Sequence, residues 1–212
     1  MTTRTQLLLK PGLPASLARL AIAACVAVLI YGCSQQPAKF NSMDVTNAPW
    51  GQHYELPNLD GKTTTPADFK GKIVAVYFGF LYCPDACPTH LTKMNEVKRL
   101  LGAQGSEVQT VFITVDPERD TPEKLKPYLA SFDPSIVGLR GDLAQTEAAA
   151  KEFRVFYRKV DTKDSAKDPM AYTIDHTLFT YVYDKQGRLR LVVPHDLSAD
   201  KIASDIKNLL AL

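Results

Sequence analysis

The 212-residue chain lacks several features that would assign it to a class at once. Its 11 glycines and 14 prolines are spread without a period, which excludes collagen-like and low-complexity segments. No internal repeat is visible, so a solenoid or propeller is excluded as well. No basic stripe with interleaved aromatic residues occurs, so nucleic-acid binding is not expected. Because 45% of the residues are hydrophobic, the chain can bury one substantial core.

Acidic residues are absent from residues 1–32, where the only charges are basic. An apolar run, residues 20–31, follows these basic residues, which is the pattern of an export signal. The run holds about a dozen residues, fewer than the roughly 20 that a membrane-spanning helix needs. We therefore expect residues 1–33 to be a signal peptide or membrane anchor, residues 34–48 to be a polar spacer, and residues 49–212 to be one folded domain.

Cys33 ends this segment, directly after Ile30, Tyr31 and Gly32. The order resembles the lipobox of bacterial lipoproteins, in which the cysteine is lipidated. Tyr31 stands where a small residue is usual, so an uncleaved N-terminal helix is the alternative. Either anchor predicts a domain on the periplasmic face of the cell membrane. Cys25 is expected to be only an apolar residue of the signal.

Two continuous apolar runs predict the central strands of the domain. Residues 73–80 and 108–116 are rich in β-branched and aromatic side chains, which is typical of strands buried on both faces. Residues 88–101, between these runs, carry apolar side chains at helical spacing. The predicted order is therefore strand, loop, helix and strand.

Further elements continue this alternation of strands and helices. Thr121 and Asp142 are residue types that begin helices, and Ser198 precedes an amphipathic stretch. Residues 158–169 are polar without periodicity and predict an inserted loop, while Gly187 marks the turn of a late hairpin. The remaining predicted elements are helices within 121–132, 142–156 and 198–210, a short strand within 135–141, a small hairpin within 50–72 and the late hairpin within 176–193. The pattern predicts a thioredoxin-like α/β fold with an N-terminal hairpin and an inserted loop.

Two cysteines, Cys83 and Cys87, follow the first central strand. If both occupied the first turn of the next helix, their Cα atoms would be about 6 Å apart on one face. That distance fits either a disulfide or two ligands of one ion. The positive potential at a helix N-terminus favours thiolates, which are the nucleophilic and metal-binding form. A purely structural disulfide is disfavoured because the loop that it would close is very short.

Metal binding through these cysteines would need a further ligand. Two thiolates form a soft site that suits Cu(I), and one added imidazole would let the site accept Cu(II) as well. His176 ranks first among the four histidines, because the start of the late hairpin faces the cysteine loop in a thioredoxin-like topology. His90 ranks second, because it follows Cys87 by three residues and could share its helical face. His53 and His195 are expected to be solvated surface residues.

Three sequence blocks resemble the Sco/SenC copper-binding proteins of respiratory chains. These blocks are YFGFLYCPDACPTHL at residues 77–91, TVDPERDTPEKLKPY at 114–128 and TIDHTLFTYVYDKQGRL at 173–189. They occur in the family's order, and the likeness covers most of residues 50–210. Leu81 and Tyr82 depart from the family, in which a polar residue and often His or Phe are commoner before the first cysteine.

The resemblance implies a domain that binds one copper ion, as Cu(I) or Cu(II), through Cys83, Cys87 and His176. Family members help to assemble the dinuclear copper site of cytochrome c oxidase subunit II, so that subunit and other copper chaperones are the expected partners. A metallochaperone rather than an enzyme is therefore expected. Asp175 and Asp116 are candidates to orient the ligands or tune their charge, with an ordinary cap or turn role as the alternative.

The same residues support a second interpretation. In a thiol:disulfide oxidoreductase, the exposed cysteine would attack a disulfide of the oxidase subunit and the other cysteine would resolve it. A redox or copper sensor would use the same site. Peroxidase activity is less favoured, because the surroundings of the paired cysteines lack the usual peroxiredoxin motif. His176 discriminates between the two main interpretations, since thiol exchange does not need this imidazole.

Overall fold

A six-stranded mixed sheet forms the centre of the domain. The computed structural model describes residues 39–212. The predicted signal or anchor, Cys33 and the first residues of the predicted spacer lie outside the described residues. Within the described part, no helix is both long enough and apolar enough to span a membrane.

The described residues contain ten β-strands and four α-helices. The strands are β1 (Met43–Asp44), β2 (Leu56–Pro57), β3 (Thr63–Thr64), β4 (Ile73–Gly79), β5 (Val108–Thr114), β6 (Val137–Leu139), β7 (Tyr157–Asp161), β8 (Tyr172–His176), β9 (Thr180–Tyr183) and β10 (Leu189–Val193). The α-helices are α1 (Ala86–Leu100), α2 (Pro122–Ala130), α3 (Leu143–Glu152) and α4 (Ala199–Leu210). Two short 3-10 helices, Pro66–Phe69 and Gly102–Glu107, complete the elements.

The strands of the main sheet lie in the order β1-β10-β9-β4-β5-β6. The β4–β5 and β5–β6 pairs are parallel, and the other pairs are antiparallel. Two hairpins stand outside this sheet, β2 with β3 and β7 with β8. The predicted alternation of strands and helices is confirmed, and so is the small N-terminal hairpin.

Strand β4 is buried over its whole length because helices cover both faces of the sheet. Ile73 and Ala75 pack in one cluster with apolar residues of α1 and α4. Val74, Val76 and Phe78 point to the opposite face and pack with apolar residues of α2 and α3. Because both faces of β4 are covered, side chains on both faces are apolar, and the sequence of the strand is a continuous apolar run.

Three different loops lie next to one another at one edge of the sheet. The parallel strands β4 and β5 both end there, so the loops that follow them are neighbours. Strand β9 runs antiparallel to β4 and begins at the same edge, with Thr180 opposite Tyr77. The residues just before β9 therefore lie beside the residues just after β4.

Two predicted boundaries differ from the structure, and a third agrees with it. Helix α1 begins at Ala86, so Cys83 precedes the helix instead of lying in its first turn. Helix α3 ends at Glu152 instead of continuing to residue 156, because Arg154 adopts a left-handed conformation with φ of 56°. The predicted start of α3 is confirmed, since the Asp142 carboxylate accepts a hydrogen bond from the backbone N–H of Gln145 at 2.8 Å.

The inserted segment is more ordered than the sequence predicts. Residues 158–169 were expected to form a loop, but Tyr157–Asp161 is a strand that pairs along five residues with Tyr172–His176. Most side chains of β7 are exposed or only partly buried. A strand without a buried face shows no alternation of apolar and polar residues, which is why the sequence pattern missed it.

The end of the predicted spacer packs on the domain. Strand β1 pairs with β10, and the two residues before the strand bind a buried carboxylate of α4. Asp205 accepts hydrogen bonds from the backbone N–H groups of Asn41 and Ser42, both at 2.8 Å, and from the Ser42 hydroxyl at 2.6 Å. The folded unit therefore includes residues that the sequence assigned to a linker.

We predict that Asp205→Ala lowers the free energy of unfolding by about 2–4 kcal/mol, because several buried donors lose their acceptor together. Urea denaturation followed by circular dichroism measures this change. Asp200→Ala, on the exposed first turn of the same helix, is the matched control and should cost less than about 1 kcal/mol. Equal losses in the two variants would show that the segment before β1 is not anchored by Asp205.

Candidate metal centre

Cys83, Cys87 and His176 come together at the edge where β4 ends and β9 begins. Each offers one ligand atom, and these three atoms all lie within 4.8 Å of one another. Among residues 39–212 this is the group of three or more Cys, His, Asp or Glu side chains that could hold a metal ion. The three residues ranked first from the sequence are therefore the ones that the fold brings together.

The loop after β4 brings the two sulfurs together. The Cys83 N–H donates to the Phe80 carbonyl at 3.3 Å, which closes a turn. The Cys87 N–H, in the first turn of α1, donates to Cys83 Sγ at 3.3 Å. Gly79 permits the close packing beneath this turn, because a Cβ atom there would lie only 2.8 Å from Cys87 Sγ and from the Phe112 ring.

His176 is the last residue of β8, and its ring is held at both nitrogens. Nε2 lies 3.7 Å from Cys87 Sγ. Nδ1 lies 3.0 Å from the Thr177 carbonyl oxygen, which can only accept a hydrogen bond. Nδ1 therefore carries the proton, and Nε2 presents its lone pair to the cysteines. This is the tautomer that a metal ligand requires.

Aromatic rings enclose one side of the site. The His176 ring meets Phe80 edge to face at 5.7 Å between centroids and meets Tyr77 in the same way at 6.0 Å. Cys87 is completely buried, while Cys83 is only partly buried. The site is consequently closed on the side of Cys87 and accessible on the side of Cys83.

The two thiols have different pKa values. A hydrogen bond from the Cys87 thiol is the main cause that lowers the pKa of Cys83 to about 4. The same hydrogen bond, together with burial, raises the pKa of Cys87 above its ordinary value. Without a metal, Cys83 is thus a thiolate near neutral pH, whereas Cys87 keeps its proton.

The other three histidines lie elsewhere. His90 is buried and stacks on Tyr77 at 3.8 Å between ring centroids, with Nδ1 3.4 Å from the Thr180 hydroxyl. Burial lowers the pKa of His90 to about 3. His53 is exposed, as expected, whereas His195 is partly buried and its carbonyl accepts a hydrogen bond from Lys93. The helical spacing of His90 from Cys87 therefore does not bring it into the group of ligand atoms.

The two candidate carboxylates make other contacts. Asp175 is exposed and pairs with Arg158 at 3.0 Å, since neighbouring residues of a strand point to opposite faces. The group that orients His176 is instead a backbone carbonyl. Asp116 is buried, where it pairs with Arg119 at 2.5 Å and accepts a hydrogen bond from the Tyr172 hydroxyl at 2.7 Å.

Asp120 is a residue of the site region that sequence reasoning missed. Its buried carboxylate accepts hydrogen bonds from the Leu81 N–H at 3.0 Å and from the Thr114 hydroxyl at 2.6 Å. It thus ties the cysteine loop to the end of β5, and burial raises its pKa to about 6. Asp120 lies within the block 114–128, but the sequence does not indicate which of its carboxylates faces the cysteine loop.

Comparison with known proteins places this geometry in a family. Residues 43–211 match the model of the SCO1/SenC family. The chain belongs to this family. It is 39% identical over 158 residues to the SCO2-like protein RP587 of Rickettsia prowazekii, covering 74% of this chain and 76% of that one. It is 37% identical over 160 residues to the human mitochondrial SCO2 homolog, covering 74% of this chain and 59% of the human protein.

Solved structures of the SCO1/SenC family share the fold. ScoI of Bradyrhizobium japonicum with copper bound superposes with a TM-score of 0.65 at 39% identity, covering 74% of this chain and 97% of that one. Yeast Sco1 with copper bound gives a TM-score of 0.67 at 32% identity, covering 76% of this chain and 88% of that one. The predicted thioredoxin-like α/β fold is thereby confirmed for the described residues.

We predict that the metal-free, reduced protein reacts with iodoacetamide first at Cys83, with a rate that rises through a midpoint near pH 4. Replacing Cys87 by Ala should move this midpoint upward by at least about one unit, because the thiolate loses its main hydrogen-bond donor. Mass spectrometry of the labelled peptides against pH measures both effects. Similar labelling rates for the two cysteines at pH 6 would contradict the proposed asymmetry.

A second prediction concerns Asp120 and the pH dependence of stability. The pKa of Asp120 is higher in the folded chain than in the unfolded chain. Between about pH 4 and pH 6 the folded chain therefore binds more protons than the unfolded chain. Because of this difference, the contribution of Asp120 to stability falls as the pH rises through that range. Asp120→Asn removes the titrating carboxyl group and with it this fall in stability. Its free energy of unfolding relative to wild type should therefore rise from pH 4 to pH 7, on the order of 2 kcal/mol.

Urea denaturation at several pH values measures this difference, with the exposed Asp60→Asn variant as the matched control. The control should track the wild type across the whole range. An Asp120→Asn curve that also runs parallel to the wild type would mean that this carboxyl group titrates normally.

Proposed function

We propose that the protein is a copper chaperone, which holds one copper ion through Cys83, Cys87 and His176 and passes it to a partner's cysteines. The observation that carries the proposal is the convergence of two sulfurs and one imidazole nitrogen within 4.8 Å. Two thiolates satisfy Cu(I), and the imidazole adds the third ligand that suits Cu(II). The copper-bound structures of two relatives support the choice of metal.

The accessibility of the site suits ligand exchange. A partner's thiolate can approach from the side of Cys83, since Cys87 and the aromatic rings close the other side. The buried Cys87 thiol must lose its proton when a metal binds, so copper loading releases protons.

The proposed recipient is the dinuclear copper site of cytochrome c oxidase subunit II, with other copper chaperones as donors. The proposed location is the periplasmic face of the membrane, reached through an anchor within residues 1–33, at Cys33 or as an N-terminal helix.

Thiol:disulfide exchange is the second candidate function. The observation that favours it is the asymmetry of the pair, with an accessible thiolate at Cys83 and a buried, protonated thiol at Cys87. In such exchange Cys83 would attack a partner disulfide, and Cys87 would then release the partner by closing the Cys83–Cys87 disulfide. The oxidised pair could not bind copper, so the redox state of the compartment would control both functions.

Copper titration of the reduced, full-length protein tests the chaperone proposal. We predict one equivalent of copper, with a thiolate-to-Cu(II) charge-transfer band, and loss of binding in Cys83→Ser and Cys87→Ser. His176→Ala should weaken Cu(II) binding by more than about 100-fold, since even loss of a group that orients a ligand costs roughly 10- to 100-fold. His53→Ala, on an exposed histidine, is the matched control and should bind copper like the wild type.

Disulfide reductase activity of the same variants separates the two functions. We expect His176→Ala to reduce a model disulfide within about threefold of the wild-type rate, because the imidazole is not a reactant in thiol exchange. Absence of stoichiometric copper binding, with the cysteines still cycling to a disulfide, would assign the protein to thiol exchange. Unchanged Cu(II) affinity in His176→Ala would refute the three-ligand site.

A further inference from the structure

Arg119 joins two parts of the site that come from distant segments. It is buried, and its Nε donates to Asp116 at 2.5 Å. Its Nη1 donates to the Tyr172 carbonyl at 2.6 Å and to the Met170 carbonyl at 3.0 Å. Both carbonyls belong to the beginning of β8 and the residues before it, and β8 ends at His176. The guanidinium therefore attaches the strand that carries the imidazole to the loop after β5.

The same guanidinium also contacts the cysteine loop. Its Cζ atom lies 3.6 Å from the ring centroid of Tyr172 and 5.0 Å from that of Tyr82, which directly precedes Cys83. It lies 6.0 Å from the ring of Phe80, which packs edge to face on His176. One cation thus interacts with aromatic rings on both sides of the site.

Two side chains of β8, Tyr172 and Ile174, pack in the main hydrophobic cluster, and the Tyr172 hydroxyl donates to Asp116 at 2.7 Å, but few other strong contacts hold the β7–β8 hairpin. It is a separate two-stranded sheet, and such a hairpin is marginally stable by itself. The ion pair between Lys159 and Glu118 connects it to the loop after β5, but both side chains are largely exposed, and such pairs contribute little. The buried contacts of Arg119 are therefore a stronger polar link between the hairpin and the loop after β5 than this exposed ion pair.

Tyr82 is held on this cation although it is half exposed. Its side chain retains 50% of its accessible surface, and its hydroxyl lies 3.3 Å from Lys124 Nζ. Tyr82 is also, with Leu81, one of the two positions at which the sequence departs from the family pattern before the first cysteine. Its ring covers the outer side of Arg119, where water would otherwise compete for the guanidinium.

We propose that Tyr82 and Arg119 are positioning residues, which set the separation between Cys83 and His176 through the Tyr82–Arg119–Tyr172 contact. The proposal rests on the copper site described above and adds the residues that fix its geometry. Cu(I) needs only the two thiolates, whereas Cu(II) also needs the imidazole at the correct distance. Loosening the contact should therefore weaken the binding of Cu(II) and leave the binding of Cu(I) unchanged.

Tyr82→Ala in the full-length protein tests this inference. We expect the dissociation constant for Cu(II) to increase about two- to fivefold, the range of a partly exposed cation–π contact, with a shifted charge-transfer band. Tyr82→Phe keeps the ring and should restore the wild-type values. Lys124→Met is the matched control, because it removes the contacts of the Lys124 ammonium to the Tyr82 hydroxyl and ring and to the Arg119 carbonyl but leaves the Tyr82 ring and the Arg119 guanidinium in place. Equal values for Tyr82→Ala and Tyr82→Phe, or an equal loss of both oxidation states, would overturn the proposal.

Arg119→Lys gives a stronger perturbation. Lysine keeps a positive charge beside Asp116 but lacks the planar fork that reaches two carbonyls and stacks on rings. We expect a larger loss of Cu(II) affinity than in Tyr82→Ala, and an affinity equal to the wild type would overturn the role of Arg119. If this variant fails to fold, the two Tyr82 variants decide the question, since they leave the buried Arg119–Asp116 pair in place.

Hydrogen exchange of the metal-free protein separates this inference from the proposed function. Backbone amides of β8 should exchange about two- to fivefold faster in Tyr82→Ala than in Tyr82→Phe, because the hairpin is held less firmly. Equal exchange rates would overturn the proposal. Failure of the wild type to bind copper would refute the chaperone function, and the exchange rates would then decide alone whether Tyr82 and Arg119 hold the hairpin.

Discussion

The register between β4 and β9 is the constraint on which the site depends. Tyr77 lies opposite Thr180, so the loop that carries the cysteines leaves the sheet where the segment that carries His176 arrives. A shift of one residue would turn every side chain of β9 to the other face. All four residues of β9 are buried, and burial on both faces fixes the register against such a slip. The ligand set is thus a consequence of core packing several residues away.

The two sides of the site have different physical characters. On the side of α1 and β4, the hydrogen bond that Cys87 donates to Cys83 and the burial of Cys87 both raise its pKa, which is why Cys87 keeps its proton until an ion or an electrophilic sulfur arrives. On the side of Cys83, hydrogen bonds, above all the one from the Cys87 thiol, stabilise the negative charge against the effect of partial burial. This difference in protonation between Cys83 and Cys87 suits metal transfer and thiol exchange equally well. The imidazole is the group that separates them, because its Nε2 lone pair has a use only in the first.

The central strands and the three side chains that converge at the candidate metal centre could be predicted from the sequence because each has a local signal. Strands β4 and β5 read as continuous apolar runs, and His176 precedes a recognisable hairpin in a block with family resemblance. The roles of Asp120 and Asp205 could not be predicted, since both act through contacts to residues 39 or more positions away. Strand β7 was missed because its side chains are mostly exposed. The sequence left open whether Cys83 lies in the first turn of the next helix, and the structure places it before the helix, which begins at Ala86 after Pro84 and Asp85.

The three ligands differ in how firmly the fold holds them. Cys87 is fixed by the buried face of α1. Cys83 is fixed by a turn in which the Leu81 N–H donates a hydrogen bond to Asp120. His176 belongs to a hairpin outside the main sheet, so it depends on the core packing of Tyr172 and Ile174, on the contacts of Arg119 and on its own packing against Phe80 and Tyr77. A chaperone must release its cargo, and the ligand on the most weakly attached element is the one that can leave at the lowest cost. For Cu(I), the proposed order of transfer therefore begins with loss of the imidazole, which leaves the ion on two thiolates, in the same oxidation state and open to attack by an incoming thiolate.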